Sequence, residues 1–379
     1  MVMLLAGSLG AWQESLTREG SYWVQTVTGT VATPPSGKLR ISTRGKVAAA
    51  GGPEQVIRYS FVKRVKARNE AEARRRLGKF VIRSSRAGDW GVLSVAHESE
   101  TSIQSELQVK APRGLRDMIV ETHGGSVTAV DLAGNLQAQT GGGPIHVDKL
   151  GRDVVAITAG GEIVLGSIGG SAICKSAGGP IRAASIRGEA RLSTAGGDIV
   201  ALEVGGNVHA STAGGSIQIA KAGGMVAVNT AGGKIDIGSA RGMVTAESMG
   251  GPIEVGSAIG VLCESGGGAI RLTNVTGSLR ASTAVGNIIA QLLAGAAIAD
   301  SSLSTGQGDI TVYVPSNLRI TIQAQNESAQ SLRRIVSDFP ALRVRRDGPV
   351  VVAEGDLNGG GPLLRLSSAG GTIYIKRQP

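Results

Sequence analysis

The chain has 379 residues, a formal charge of +10, 58 glycines, two cysteines, and 3% aromatic against 41% hydrophobic residues. Glycine without a triplet period excludes a collagen helix, two cysteines exclude a disulfide scaffold, and so few aromatics leave Ile, Val, Leu and Ala to fill any interior. The positive balance would suit nucleic acid, an anionic glycan or a lipid surface, but the basic residues gather in end segments without interleaved aromatics, and solvated faces account for them more simply.

Residues 1–20 open with MVMLLAGSLGAW, which resembles the apolar part of a secretory signal without its basic start. Cleavage after Ser8 or Ala11 is the expectation, and an apolar N-terminal strand is the alternative. The segment is too short to span a membrane. Residues 21–106 read as a β-rich cap. YWVQTVTGTV, KLRISTRGKV and QVIRYSFVKRV are strands by composition and partial alternation, punctuated at Pro34-Pro35 and Gly51-Gly52-Pro53.

One helix is expected, from Asn69 to Gly78. Asn69 caps it, Glu72 stands three residues on as in a capping box, and Arg74, Arg75 and Arg76 complement the negative end of the helix dipole. Glu70 with Arg74 and Glu72 with Arg76 are favourable i,i+4 pairs. Ala73, Leu77 and Phe80 form one apolar stripe if the helix runs past Gly78. Such a helix suits a cover over the open end of a repeat body; a polyanion-binding helix is the functional alternative.

Residues 107–325 carry the repeat. LQVKAP at Leu107 to Pro112 leads into it, and ITVYVP at Ile310 to Pro315 closes it with the same phrase. Between them, steps of eighteen from Val127 reach Ile145, Ile163, Ile181, Ile199, Ile217, Ile235 and Ile253; after one deletion come Ile270 and Ile288. Apolar columns follow two and five residues after each Ile, and the pattern restarts nine residues on, as in Val208, Ala210 and Ala213. Glycines recur seven and sixteen residues after the Ile, for example Gly206 and Gly215. Period-two alternation means strand, and glycine at each break is expected to supply φ values that other residues avoid. A helix is excluded, because a glycine every nine residues would cost about 1 kcal/mol each time relative to Ala. The expected fold is therefore all-β, a parallel β-solenoid of about ten eighteen-residue coils stacked at ~4.8 Å. Residues 326–379 are expected to form C-terminal strands or a cap, with Val350–Val352 protecting that end.

No constellation of residues specifies a reaction. The Ser/Thr column thirteen after the Ile (Thr140, Thr158, Ser176, Thr194, Thr212, Thr230, Ser248) precedes a small-Gly-Gly turn, and its hydroxyls are expected to bond the turn backbone or each other. The residues following the glycine pair form no acidic ladder for calcium. Asp148, Glu203, Asp236 and Glu254 are scattered around the coil, and Trp12, Trp23 and Trp90 all precede the repeat, which disfavours a polysaccharide-cleaving groove. His97, His123, His146 and His209 lack metal-ligand spacing. Cys174 and Cys263, about five coils or roughly 24 Å apart, are too distant for a bridge.

The turn phrase T-A-G-G-x-I at Thr212–Ile217 and Thr230–Ile235, the closing LNGGGPLLRLSSAGGTIYIKR from Leu357 to Arg377, and V-x-V-P-x-x-L at Val312 to Leu318 resemble the DUF4097 family of bacterial β-strand-repeat proteins. Members are often labelled candidate adhesins. The resemblance runs from about Leu107 to the C-terminus, with Tyr22 to Val95 matching the family's looser leading region. It implies an exported or envelope-associated β-solenoid with no established catalytic activity and no functional residues to carry over.

The expected function is a non-enzymatic cell-envelope or secreted solenoid offering a rigid, adhesin-like binding or scaffolding surface. No catalytic, cofactor-binding or metal residue is assigned, and no cofactor is expected. The sequence does not name the partner; the candidates are a cell-envelope protein and an anionic polymer, the latter through basic end regions such as Lys63–Arg83 and Arg343–Arg346, and no specific nucleic acid and no transmembrane span are expected. A carbohydrate-active β-helix is the remaining alternative.

Overall fold

The computed structural model of the protein describes residues 13–31, 33–34, 36–97, 103–295, 297–327 and 334–378. The apolar start read as a signal remnant, Trp12 and Pro35 lie outside these residues. Alternation broken by glycine yields short strands whose every second side chain is buried, and these strands form parallel ladders, a β-solenoid. Two compact units, Met1–Gly179 and Pro180–Pro379, are described in turn.

In the first unit each coil contributes one strand to an Ile ladder and one to a Thr ladder, named after their recurrent buried residues. The Ile ladder pairs Val127 with Ile145 and Ile145 with Ile163, in the register of the eighteen-residue period. The Thr ladder pairs Thr122 with Thr140, Thr140 with Thr158, and Thr158 with Ser176.

Upstream of the repeat the same ladders continue in a different chain order. Strands Lys38–Thr43 and Lys46–Gly52 form a coil beside Asp117–Thr122 and Val127–Val130, aligning Val47 with Val127. On their other side lies the coil made by Trp90–His97 and Gln104–Pro112, aligning Val47 with Leu107. The earlier coil is thus inserted between two later ones.

Antiparallel strands cover the outermost coil. Phe80–Ala87 pairs with Trp90–His97, and Ile57–Val65 pairs with Gln104–Pro112 and carries Tyr22–Val31 and Gln13–Glu19 beyond it. Such strands satisfy backbone groups that an open parallel edge would leave exposed.

The helix spans Glu70–Leu77, with the Asn69 side chain accepting the Glu72 amide at 2.9 Å and Glu70 paired with Arg74 at 2.7 Å. The Glu72 carboxylate turns back to the Arg68 amide at 3.0 Å. Ala73 and Leu77 fill a small core with Val65, against Leu16, Trp23, Ala67 and Ile103. Phe80 does not extend the helical stripe; it is buried at the start of the next strand, because the chain leaves the helix at Gly78.

In the second unit the Ile ladder runs Ile181, Ile199, Ile217, Ile235, Ile253, Ile270, Ile288 and Ile310 in direct pairing. These side chains are completely buried, and each contributes about 2–3 kcal/mol of hydrophobic stabilisation. The deletion before Ile270 is absorbed by a register shift between Ile259 and Val261. The excess before Ile310 is taken up by a loop in which Gly277 bonds Ala297 and Ala299.

Beyond Ile310 the ladder runs next to Ile373 and only then to Ile335. The last two strands of the chain, Leu363–Ser368 and Ile373–Arg377, are inserted one coil in from the end, as the first coil is in the other unit. Val350–Leu357 then covers Ile320–Asn326 in antiparallel pairing, with Arg343–Asp347 outside it, so the strand containing Val350–Val352 does protect that edge. The shared phrases make the same turn, with Leu115 N–H donating to Pro112 O and Leu318 N–H to Pro315 O, both at 3.1 Å.

Most glycines after the Thr column do not serve the purpose expected of them; among the described residues of that column, Gly286 and Gly308 have a positive φ, of 153°. Gly161, Gly179, Gly215 and Gly233 have no left-handed φ. A Cβ at Gly161 would instead collide with the carbonyl oxygen of Gly143 in the preceding coil, and one at Gly215 with that of Gly197. Close approach of stacked turns excludes a side chain there. Left-handed glycines of the seven-after column occur only at Gly260, Gly277 and Gly295, where the repeat becomes irregular.

Candidate functional site: a polar groove along the Thr ladder

The buried hydroxyl column fastens each turn to the one before it. Thr212 Oγ1 donates to Gly197 O at 2.9 Å and accepts the Gly215 amide at 3.2 Å. The pattern recurs at Thr140, Thr158, Ser176, Thr230, Ser248 and Ser265. In the last coil Asn326 takes the place of the hydroxyl and donates to Gly371 O at 2.7 Å. These groups have little hydrogen-bonding capacity left for a ligand.

One residue earlier in each strand the side chain points outward. In the second unit this column reads Ser211, Asn229, Glu247, Glu264, Ser282, and it lines a groove of about 770 Å³ whose other margin includes Ala213, Ala231 and Met249. Ser211 Oγ donates to Asn229 Oδ1 at 2.8 Å. Glu247 and Glu264 are register neighbours, both exposed, so two glutamates project from backbones one strand spacing, ~4.8 Å, apart. Met249 is 72% exposed beside them. The groove thus offers acceptors and a hydroxyl rim at fixed spacing, with Ala213, Ala231 and Met249 as its apolar contacts.

The Glu247–Glu264 pair escapes a search in steps of eighteen, which carries Glu247 to Ser265; the deleted residue brings Glu264 into its column. The acids singled out from the sequence lie elsewhere. Asp236 and Glu254 are neighbours bridged by Lys234 at 3.4 and 2.7 Å, and the Glu254 hydrogen bond raises the Lys234 pKa. Asp148 accepts the Ser167 amide, and Glu203 lies beside Lys221. Both groove carboxylates stand on one wall facing solvent, and no aromatic platform lines the groove. Acid–base glycoside cleavage instead requires carboxyls flanking the bond from both sides.

His209 lies 3.3 Å from Glu189, which also holds Arg191 at 2.9 Å. Among the described residues, no three His, Cys, Asp or Glu side chains gather as a metal site. Cys174 and Cys263 are free and buried, and burial pushes both thiols up to about 12. Trp23 stacks with Arg18, and Trp90 with Lys38, both outside the groove.

The basic segments are less available than their composition suggests. Lys63 is buried at 3% exposure and donates to Leu77 O and Phe80 O at 3.0 and 3.3 Å; burial lowers its pKa to about 8, opposed by Glu14. Arg76 donates to Lys66 O, and Arg345 is paired with Asp347 at 2.7 Å and Glu354 at 4.0 Å. Among the described residues no helix is long and apolar enough to cross a membrane.

No family model matches the chain and no curated protein matches its sequence, so the resemblance to DUF4097 rests on its phrases alone. Solved structures are similar to the chain, among them these three. A candidate cell adhesion protein from Clostridium sporogenes ATCC 15579 is 10% identical, with 97% of this chain and 100% of that one covered at a TM-score of 0.20. A candidate adhesin from Bacteroides fragilis NCTC 9343 is 12% identical, covering 94% and 97% at 0.26. A candidate lipid binding protein from Parabacteroides distasonis ATCC 8503 is 12% identical, covering 92% and 96% at 0.22. None of the three assigns a function to this chain.

Proposed function

We propose that the chain is a non-enzymatic, exported or envelope-associated solenoid whose groove along the Thr ladder binds an extended polar polymer, in the manner of an adhesin. The observation that carries this reading is the outward column Ser211–Asn229–Glu247–Glu264–Ser282, one polar group per coil, above a hydroxyl column that bonds each turn to its neighbour. A polymer binds a rigid ladder without paying to order it, and weak contacts repeated at one spacing add up along its length. The paired carboxylates favour a polymer carrying cationic groups, such as an amino sugar chain.

The test is retention of the full chain on immobilised glucosamine oligomers and on neutral glucan. Ala231 lies in the groove, and Ala231→Trp fills it from the turn side. Retention of the wild type on the amino sugar, lost in Ala231→Trp and reduced in Glu247→Gln with unchanged circular dichroism, is the expected result. No retention on either polymer, or equal retention of the Trp variant, refutes the reading. Export is tested separately: an intact N-terminus in the cytoplasmic fraction of the source cell refutes it.

A further inference from the structure

In the first unit, the outermost coil strand Gln104–Pro112 and the two antiparallel strands laid against it present a second, differently charged surface. Thr30 of Tyr22–Val31, Arg58 of Ile57–Val65 and Lys110 of Gln104–Pro112 are direct cross-strand neighbours, and so are Thr28, Ser60 and Gln108 in the adjoining row. Together with Gly29 and Tyr59 these six residues line a depression of about 330 Å³. Arg58 and Lys110 are both exposed, and neither has an ion-pair partner among the described residues. Like charges set directly opposite each other in a sheet are destabilising.

No carboxylate among the described residues forms an ion pair with either cation. Glu54 lies over Gly52, diagonal to Lys110 on the same face, and is bonded to neither. Continuing the row past Lys110, the partners are Ala50 and Val130, and the first carboxylate of that row is Asp148, three strands or ~14 Å away and beyond a Debye length at physiological salt. Glu106 is two residues along from Gln108, accepts the Gln108 amide at 2.9 Å, and has Lys46 directly opposite. The two cations have no ion-pair partner among the described residues, and Thr30 in their own row and Thr28 and Ser60 in the adjoining row line the depression with them.

We propose that this depression binds a phosphomonoester. Arg58 supplies a planar fork suited to two oxygens of a tetrahedral anion, Lys110 supplies a point charge, and the hydroxyls are neutral donors. Two cations match a group carrying about −1.5 to −2 charges at pH 7 better than a singly charged sulfate ester. The volume fits one such group on a small molecule or a lipid headgroup, not a length of polyanion.

Calorimetric titration of the full chain with methyl phosphate, at ionic strength held constant with chloride, tests the site. Saturable binding is expected, weakened at least tenfold in Arg58→Gln and in Lys110→Gln, and unchanged in Lys46→Gln. Methyl sulfate is expected to bind at least tenfold more weakly. Absence of saturable binding, equal binding of methyl sulfate, or binding unaffected by the Arg58→Gln/Lys110→Gln double variant overturns the proposal; circular dichroism of each variant guards against misfolding. Flotation with phosphatidylcholine vesicles containing phosphatidic acid identifies the source. Co-flotation lost in the double variant supports the site with a headgroup as ligand, and absence of co-flotation alongside methyl phosphate binding supports it with a soluble ester.

Discussion

Replacing Thr212 by Val is the sharpest test of how the coils are held in register. Valine keeps the branched shape but removes the hydroxyl that donates to Gly197 O at 2.9 Å and accepts the Gly215 amide at 3.2 Å. Thr212 and Gly215 are both buried, so no water replaces it. An unsatisfied buried amide costs about 1–3 kcal/mol and the lost bond to the carbonyl about 1 kcal/mol, giving roughly 2–4 kcal/mol in all. Stacked coils do not unfold in one step, so a global unfolding midpoint would blur this local loss. Native-state hydrogen exchange at the Gly215 amide reads it directly, and the opening constant is expected to rise by about 30-fold or more. Thr212→Ser, which keeps the hydroxyl as Ser176 and Ser248 do in their own coils, should exchange like the wild type. If Thr212→Val exchanges no faster than Thr212→Ser, the hydroxyl column is not what fastens the turns.

Three further outcomes are expected. Gly161→Ala should destabilise its coil by about 3 kcal/mol or more, because the new Cβ meets Gly143 O, while Gly160→Ala, with nothing within 4 Å, should stay within about 0.5 kcal/mol; native-state hydrogen exchange at the residue 161 amide, which donates to Thr158 Oγ1, decides between them. Lys63 has its pKa lowered by burial to about 8 from 10.5, so the folded state binds fewer protons than the unfolded chain between these values, and stability should rise with pH across that window. The gain is about 1–2 kcal/mol after allowance for solvent screening, and Lys63→Met should abolish it; a parallel pH dependence in the two proteins would refute the assignment. Cys174 and Cys263, buried with thiols pushed up to about 12, should react with a thiol reagent only after unfolding, as followed by absorbance in native buffer and in urea.

The eighteen-residue period by itself determined the ladders. Because equivalent residues stack, the step from Ile217 to Ile235 in the chain is also their pairing in the sheet, and the alternation of burial follows from strand geometry. The role of Thr212 was partly legible for the same reason: a hydroxyl before every Gly-Gly turn stacks on turn backbone and on other hydroxyls, and the structure chose the backbone, Gly197 O one coil away and the Gly215 amide of its own turn. The need for glycine at positions such as Gly161 was legible, but not its cause: whether a turn lacks φ freedom or lacks room depends on how closely the next turn approaches, and that distance is a property of stacked coils.

Three other features were decided only by the tertiary structure. The Glu247–Glu264 pair arises from a deletion that shifts the column by one residue, and a register shift between Ile259 and Val261 absorbs it. The Arg58–Lys110 pair joins strands about fifty residues apart through antiparallel pairing outside any period. The inserted coils, Lys46–Gly52 between Gln104–Pro112 and Val127–Val130, and Ile373–Arg377 between Ile310–Val314 and Ile335–Ser337, depend on which free strand edges find each other. A repeat encodes its nearest neighbour in its own spacing; a strand edge at the end of a stack has no such neighbour, and its partner is chosen by long-range complementarity that no local pattern records.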